Sequence, residues 1–133
     1  MILVIGATGF VGMYTVDKLL SDGKKVVATG RNKKLGEKLQ QMGATFIPLD
    51  ITDSSEFDAL PSDGVEGIAL LAGLLPANAT ADLDSEDNAA DYFEVNVIGL
   101  INVLEWARKH GIRKVISTCS YSDVSGAWGK GYP

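Results

Sequence analysis

The sequence predicts an α/β fold, a doubly wound parallel sheet covered by helices on both faces. Three features carry that prediction: five short apolar runs, helical patterns between them, and a glycine-rich turn that joins the first run to the first helix. Runs that are apolar along their whole length suit parallel strands buried on both sides, and right-handed crossovers between such strands give the double winding. At 133 residues, with 46% hydrophobic and 22% charged residues, the chain fits one soluble domain with a single core.

Residues 2–5, Ile-Leu-Val-Ile, form the first strand and break at Gly6. Beyond Gly12 the apolar residues Val11, Tyr14, Thr15, Leu19 and Leu20 recur at roughly helical spacing, and Ser21-Asp22-Gly23 ends that helix. A second strand, Lys25 to Thr29, closes at Gly30. Leu35 and Leu39 mark a helix over 34–42, stopped by Gly43, and Thr45 to Leu49 reads as the third strand. Thr52-Asp53-Ser54-Ser55-Glu56 supplies N-cap residues and first-turn acids for a short helix through Leu60. Gly67 to Ala72 is the fourth strand.

Pro76 to Asn88, rich in Ala, Asp and Ser, has no periodicity and reads as a loop. The longest helix is expected from about Asp87 to His110, roughly 36 Å at about 1.5 Å per residue, ended by Gly111. Ile112 to Thr118 completes the strands, and 120–133 reads as irregular structure. The sequence thus stops after about five strands, as an N-terminal portion would if its C-terminal substrate segment were absent. Trp106 lies on the apolar stripe of the long helix, as core or dimer surface. His110 reads as a helix-end cation or a surface residue.

The net charge of −5 and the lack of a Lys/Arg-rich run argue against nucleic acid or an anionic membrane as the main partner. No apolar run approaches the roughly 20 residues needed to span a bilayer, and the first residues lack the pattern of a secretion signal. Cys119 is the only cysteine, so no internal disulfide forms, which suits a cytoplasmic setting.

Gly6-Ala7-Thr8-Gly9-Phe10-Val11-Gly12 has the spacing G-x-x-G-x-x-G between a strand and a helix. The first glycine permits a tight turn, the second a close approach to a pyrophosphate, and the third close helix-to-strand packing. Free N–H groups at the helix start then favour the anion, which makes this the Rossmann, NAD(P)-binding arrangement. A glycine-rich turn that binds nothing is the plainer alternative. About 20 residues further on, an acid would hold a ribose 2′-hydroxyl, whereas an arginine would accommodate a 2′-phosphate. The chain has Gly30-Arg31-Asn32-Lys33 there, with no acid, which favours NADP over NAD. Arg31 as a solvated loop residue is the competing reading.

The chain resembles the extended short-chain dehydrogenase/reductase superfamily, the NAD-dependent epimerase/dehydratases and related reductases. The resemblance rests on the glycine turn, Leu49-Asp50-Ile51-Thr52-Asp53, Leu71-Ala72-Gly73, Asn96-Val97-Ile98-Gly99 and Ser117-Thr118-Cys119-Ser120, in that order along the whole chain. It implies that Asp50 and Ile51 meet the adenine, that Leu71, Ala72 and Gly73 run along the cofactor, and that Asn96 helps position the nicotinamide side. From the residues alone, Asp50 serves equally as a turn aspartate, and Asn96 as a residue capping a neighbouring loop.

The resemblance also implies a Ser or Thr past the fifth strand that hydrogen-bonds the substrate oxygen. Ser120 matches best, with Thr118 as the alternative. The proton donor of such enzymes is a Tyr tuned by a Lys four residues later. Tyr14 and Lys18 have that spacing, but they fall in the first helix beneath the glycine turn, away from any nicotinamide. Tyr92, Tyr121 and Tyr132 have no such lysine, so residues 1–133 lack the catalytic pair. Leu70 replaces the small polar or His residue often found ahead of the Ala-Gly step, and Tyr121 to Gly126 only loosely matches the usual Val-Tyr-Gly turn. The expected activity is hydride transfer on a small carbonyl or sugar-nucleotide substrate. The alternative is a non-catalytic NADP(H)-binding or redox-sensing module. Relatives usually dimerise through the long helix, so a homodimer is expected.

Overall fold

The computed structural model describes residues 1–74 and 89–118. Five parallel strands, β1 (Ile2–Ile5), β2 (Val26–Gly30), β3 (Thr45–Pro48), β4 (Gly67–Leu70) and β5 (Val115–Ser117), form one sheet in the order β3-β2-β1-β4-β5. Winding outward from β1 in both directions is the doubly wound topology that the apolar runs predict. In register, Ile5 at the end of β1 stands beside Thr29 of β2 and Leu70 of β4. With Gly30 beside Pro48 of β3 and Leu70 beside Ser117 of β5, all five strands finish along one carboxyl edge with β1 in the middle.

The sheet divides the core because alternate strand residues point to opposite faces. On one side Leu3, Ile5, Val27, Ile68 and Leu70 pack against Val103, Trp106 and Ala107 of the late helix and against Phe57 and Leu60. On the other, Val4, Val26 and Ala28 meet Val16 and Leu39 from helices α1 (Phe10–Ser21) and α2 (Lys33–Gln41). Only β1, β2 and β4 are buried as apolar runs demand. β3 and β5 lie at the sheet's margins among the described residues, and Ile116 of β5 is 73% exposed. Apolarity alone does not distinguish a central strand from a marginal one.

All three main helices stop by the same device. Gly23, Gly43 and Gly111, at φ of 74°, 107° and 69°, take the left-handed conformation one residue past the helix cap. The next residue then returns its N–H to the last turn, as Ile112 does to Ala107 at 2.9 Å. This capping is why β5 is shorter than the run 112–118 suggests: Ile112 belongs to the helix end and is buried there. β4 likewise ends at Leu70 rather than Ala72, although the Leu71 N–H still reaches the Ile5 carbonyl at 2.8 Å.

The short helix after β3 is a 3₁₀ turn, Ser54–Ala59, capped by the Asp53 side chain on the Ser55 N–H at 2.9 Å. It ends at Leu60, held extended because Pro61 disfavours helical geometry in the residue before it. The long helix is helical throughout the described part, but it is not one α-helix. Helix α3 (Ala89–Phe93) passes through a π turn, Glu94–Ile98, into helix α4 (Gly99–Lys109). Trp106 takes the core position, and His110 caps the helix with its Nδ1 2.8 Å from the Trp106 carbonyl. No helix among the described residues is long and apolar enough to cross a membrane. The expected loop at 76–88 and the tail at 120–133, with Ser120, Cys119, Tyr121 and Tyr132, lie outside the described residues.

Candidate dinucleotide site

A cleft of about 290 Å³ opens at the carboxyl edge, where the windings to the two sides of β1 part. Parallel sheets bind ligands at such a switch point. Its floor is the glycine turn. Gly6 leaves β1 at φ 86°, so a side chain there would be strained, and an added Cβ would fall 2.7 Å from the Ala72 Cα. A Cβ on Gly12 would come within 2.7 Å of the Ala7 Cα. Strand end and helix start therefore touch through bare backbone.

The turn is held by its own amides: Ala7 N–H to the Thr29 carbonyl at 2.7 Å, and Gly9 N–H to the Gly6 carbonyl at 3.1 Å. Gly9 is the N-cap of α1, and no side chain caps the helix. The first-turn N–H groups of Phe10, Val11 and Gly12 consequently have no acceptor within the helix. Their partial positive charge faces the cleft end of α1 and favours an anion.

Of the residues expected to bind cofactor, Gly6, Thr8, Gly9, Arg31, Asn32, Asp50, Ile51, Leu71, Ala72 and Gly73 all line this cleft. Phe10, Val11, Gly12 and Asn96 do not. Phe10 is 80% exposed, and its ring makes an edge contact with Tyr14 at 5.3 Å. The role open to Phe10 and Val11 is through their amides rather than their side chains. Gly12 is buried packing. Tyr14 and Lys18 stay outside the cleft, and Lys18 donates instead to Asp22 at 2.7 Å, which raises the lysine pKa through that hydrogen bond and the adjacent charge.

Beside the floor, Arg31 leaves the end of β2, and its Nη1 lies 4.0 Å from Asp50 Oδ2. Asn32 reaches the cleft, but its Oδ1 is engaged as the N-cap of α2, accepting from the Leu35 N–H at 3.1 Å. Asp50 is a turn aspartate as well as a cleft residue: its Oδ1 accepts from the Thr52 N–H at 3.0 Å and the Thr52 hydroxyl at 2.8 Å. Ile51 is nearly buried against Gly99, so it joins cleft wall to core, and its carbonyl accepts from Asn102 Nδ2 at 2.9 Å.

Asn96 behaves as a loop clamp. Its Oδ1 accepts from the Leu74 N–H and its Nδ2 donates to the Leu74 carbonyl, both at 2.8 Å, fixing the segment after β4 that carries Leu71, Ala72 and Gly73. Sequence reasoning missed Ile5, Gly30, Leu49 and Val95 in the lining. Ile5, Gly30 and Leu49 sit at strand ends, where the carboxyl-edge rule would have found them. Gly30 admits the Thr8 side chain, which a Cβ would strike. Val95 carries no such signal, because the π turn sets which of its neighbours face the cleft.

An open parallel sheet, an uncapped helix start over a glycine floor, and a cleft at the switch point together define a Rossmann-type dinucleotide-binding domain. The chain belongs to the NAD dependent epimerase/dehydratase family, whose model matches residues 2–130. UDP-glucose 4-epimerase from Mycolicibacterium smegmatis is 35% identical over 129 residues, covering 93% of this chain and 40% of that protein. Among solved structures, a UDP-galactose 4-epimerase superposes with a TM-score of 0.73 at 26% identity, covering 90% of this chain and 38% of that one. A yeast methylglyoxal/isovaleraldehyde reductase complexed with NADPH shares the fold, with a TM-score of 0.74 at 23% identity over 90% of this chain and 37% of that one. The chain thus spans about two-fifths of these relatives' length.

Proposed function

We propose that residues 1–133 are the N-terminal, cofactor-binding part of an NADP(H)-dependent oxidoreductase or epimerase/dehydratase acting on a small carbonyl or sugar-nucleotide substrate. The observation that carries this reading is the uncapped N-terminus of α1 over the Gly6–Gly12 floor, a cradle of amides in which Gly6 and Gly12 leave no room for a Cβ. A bound nicotinamide would supply hydride transfer. The chain's own residues bind and orient: the amides of 10–12 meet the diphosphate, Asp50 and Ile51 flank the adenine, and Leu71 to Gly73 run along the dinucleotide.

NADP is preferred over NAD because Arg31 lines the cleft with Lys33 and Lys34 close behind it, and the first turn of α2 holds no acid. The name of the Mycolicibacterium smegmatis relative supports a sugar nucleotide as substrate. Ser120 is proposed to hydrogen-bond the substrate oxygen. A second copy is proposed to cover the exposed apolar side of the late helix, supported by Phe93, Val97, Ile101 and Leu104 recurring every three or four residues. A reducing, cytoplasmic setting suits the single Cys119.

Separate titrations with NADPH and NADH test the reading. NADPH should bind severalfold tighter, and Arg31→Ala should cost NADPH about 10- to 150-fold while leaving NADH nearly unchanged. Binding of neither cofactor would overturn the proposal, and tighter NADH binding would overturn its NADP part.

A further inference from the structure

We infer that Asn102 of α4, which lies outside the cleft, is a positioning residue for its adenine end, holding the turn 50–52 at the place where that turn meets the base. The inference rests on the reading in which Asp50 and Ile51 flank the adenine, and adds to it a residue that acts on the base only through them.

Among the described residues β3 is a marginal strand, and its pairing with β2 finishes at the Leu49 N–H on the Gly30 carbonyl, 3.3 Å. The turn 50–52 then leaves the ladder. Its own hydrogen bonds are local: the Asp50 N–H donates to the Glu56 carboxylate, and Asp50 Oδ1 accepts from the Thr52 N–H. These bonds shape the turn without fixing where it stands against β1 and β4, whose ends carry the rest of the cleft. Asn102 supplies that tie. Its Nδ2 donates to the Ile51 carbonyl at 2.9 Å and to the Thr52 carbonyl at 3.4 Å, from 51 and 50 residues away along the chain.

Helix α4 is a firm base for it, because Val103, Trp106 and Ala107 pack against Leu3, Ile5, Ile68 and Leu70 of β1 and β4. Gly99, three residues before Asn102 and so on the same side of the helix, receives the Ile51 side chain, whose Cγ1 would lie 2.6 Å from an added Cβ. The helix thus grips Ile51 twice, by its side chain at Gly99 and by its carbonyl at Asn102. Next to it, the Asp50 carboxylate can accept from the amino group of an adenine. A carbonyl oxygen in that place, as hypoxanthine carries, offers it no hydrogen and is repelled. How well the turn reads that group depends on where the turn stands, and therefore on Asn102.

The test compares Kd for NADPH and NADH with those for their hypoxanthine analogues, which differ only at the base, in the unmodified chain and in Asn102→Ala. The unmodified chain should prefer adenine, and in the variant that preference should fall about two- to tenfold, as loss of one hydrogen bond implies. Alanine suits a half-buried helix position, so the fold should be kept. Should that variant not fold, Asn102→Asp, equal in size but without the donor, should give the same loss. Ile112→Ala, buried at the end of the helix away from the turn, should lower the melting temperature and leave the preference unchanged. An unmoved preference in the Asn102 variants, with cofactor still bound, overturns the inference and leaves the dinucleotide reading standing. An equal fall in Ile112→Ala does the same, since any loosening of the helix would then suffice. Equal binding of adenine and hypoxanthine forms by the unmodified chain also overturns it, because the turn then reads nothing at the base. Failure of that chain to bind either NADPH or NADH overturns both readings.

Discussion

The side-chain amide of Asn96 satisfies both backbone groups of Leu74, 22 residues earlier in the chain, with two hydrogen bonds of 2.8 Å. A side-chain amide offers donor and acceptor side by side in one plane, so it can close a peptide pair as a strand would. Asn96→Ala should lower stability by about 1 kcal/mol, because water replaces these exposed bonds in part. Dinucleotide affinity should fall severalfold as the 71–74 segment loosens. Asn96→Asp keeps the acceptor but not the donor, and should do the same. Thermal melts and NADPH titration check this; unchanged affinity in both variants would remove Asn96 from the site's support.

The glycines of the turn are expected to fail in different ways. Gly12→Ala places a Cβ 2.7 Å from the Ala7 Cα, which backbone must yield to, so the fold should lose about 1–3 kcal/mol along with binding. Gly9→Ala meets only the Gly6 carbonyl at 3.3 Å and has an ordinary φ of −81°. That variant should melt close to the parent yet bind NADPH at least tenfold more weakly, its methyl standing where the diphosphate approaches. Equal binding by Gly9→Ala and the parent would contradict the proposed cradle.

Gly99 offers a case where local and tertiary rules disagree in sign. Alanine is the better helix former by about 1 kcal/mol, so propensity alone predicts stabilisation. In the fold, the new Cβ would lie 2.6 Å from Ile51 Cγ1. Gly99→Ala should therefore destabilise by about 1–3 kcal/mol, and much of that cost should vanish in the Ile51→Ala background. A double-mutant cycle by chemical denaturation measures the coupling.

Asp53 predicts a pH dependence. Its carboxylate pKa is lowered, first by the Ser55 hydroxyl and then by the Ser55 amide. A depressed folded value means that the carboxylate's stabilising contribution is complete above the ordinary aspartate value of 3.8 and is lost as pH falls through the folded one. Asp53→Ala should thus melt below the parent near pH 6, and the difference should shrink toward zero in strong acid. A gap independent of pH would assign the effect to something other than this charge.

Much of this molecule is legible without coordinates because its signals are local. Apolar runs bounded by glycine give five strands, and Gly23, Gly43 and Gly111 mark helix ends through a backbone conformation that side chains resist. The glycine floor and Arg31 are readable for the same reason. What depends on distant partners is not. That Asp50 and Arg31 face each other follows from the pairing of β2 with β3, and the Asn96 clamp follows from where β4 lets go of the sheet. The marginal positions of β3 and β5 are a matter of strand order, which hydrophobicity does not encode.

The π turn at Glu94–Ile98 has a consequence for how this gene tolerates change. A π turn is one residue too many for an α-helix, and each residue rotates a helix by about 100°. Losing a single codon there would restore regular winding and swing everything upstream around the axis, carrying Val95 off the cleft and Asn96 out of reach of Leu74. Within this stretch an in-frame deletion should therefore be worse tolerated than most exchanges of one amino acid for another, the reverse of what its solvent-facing side chains suggest.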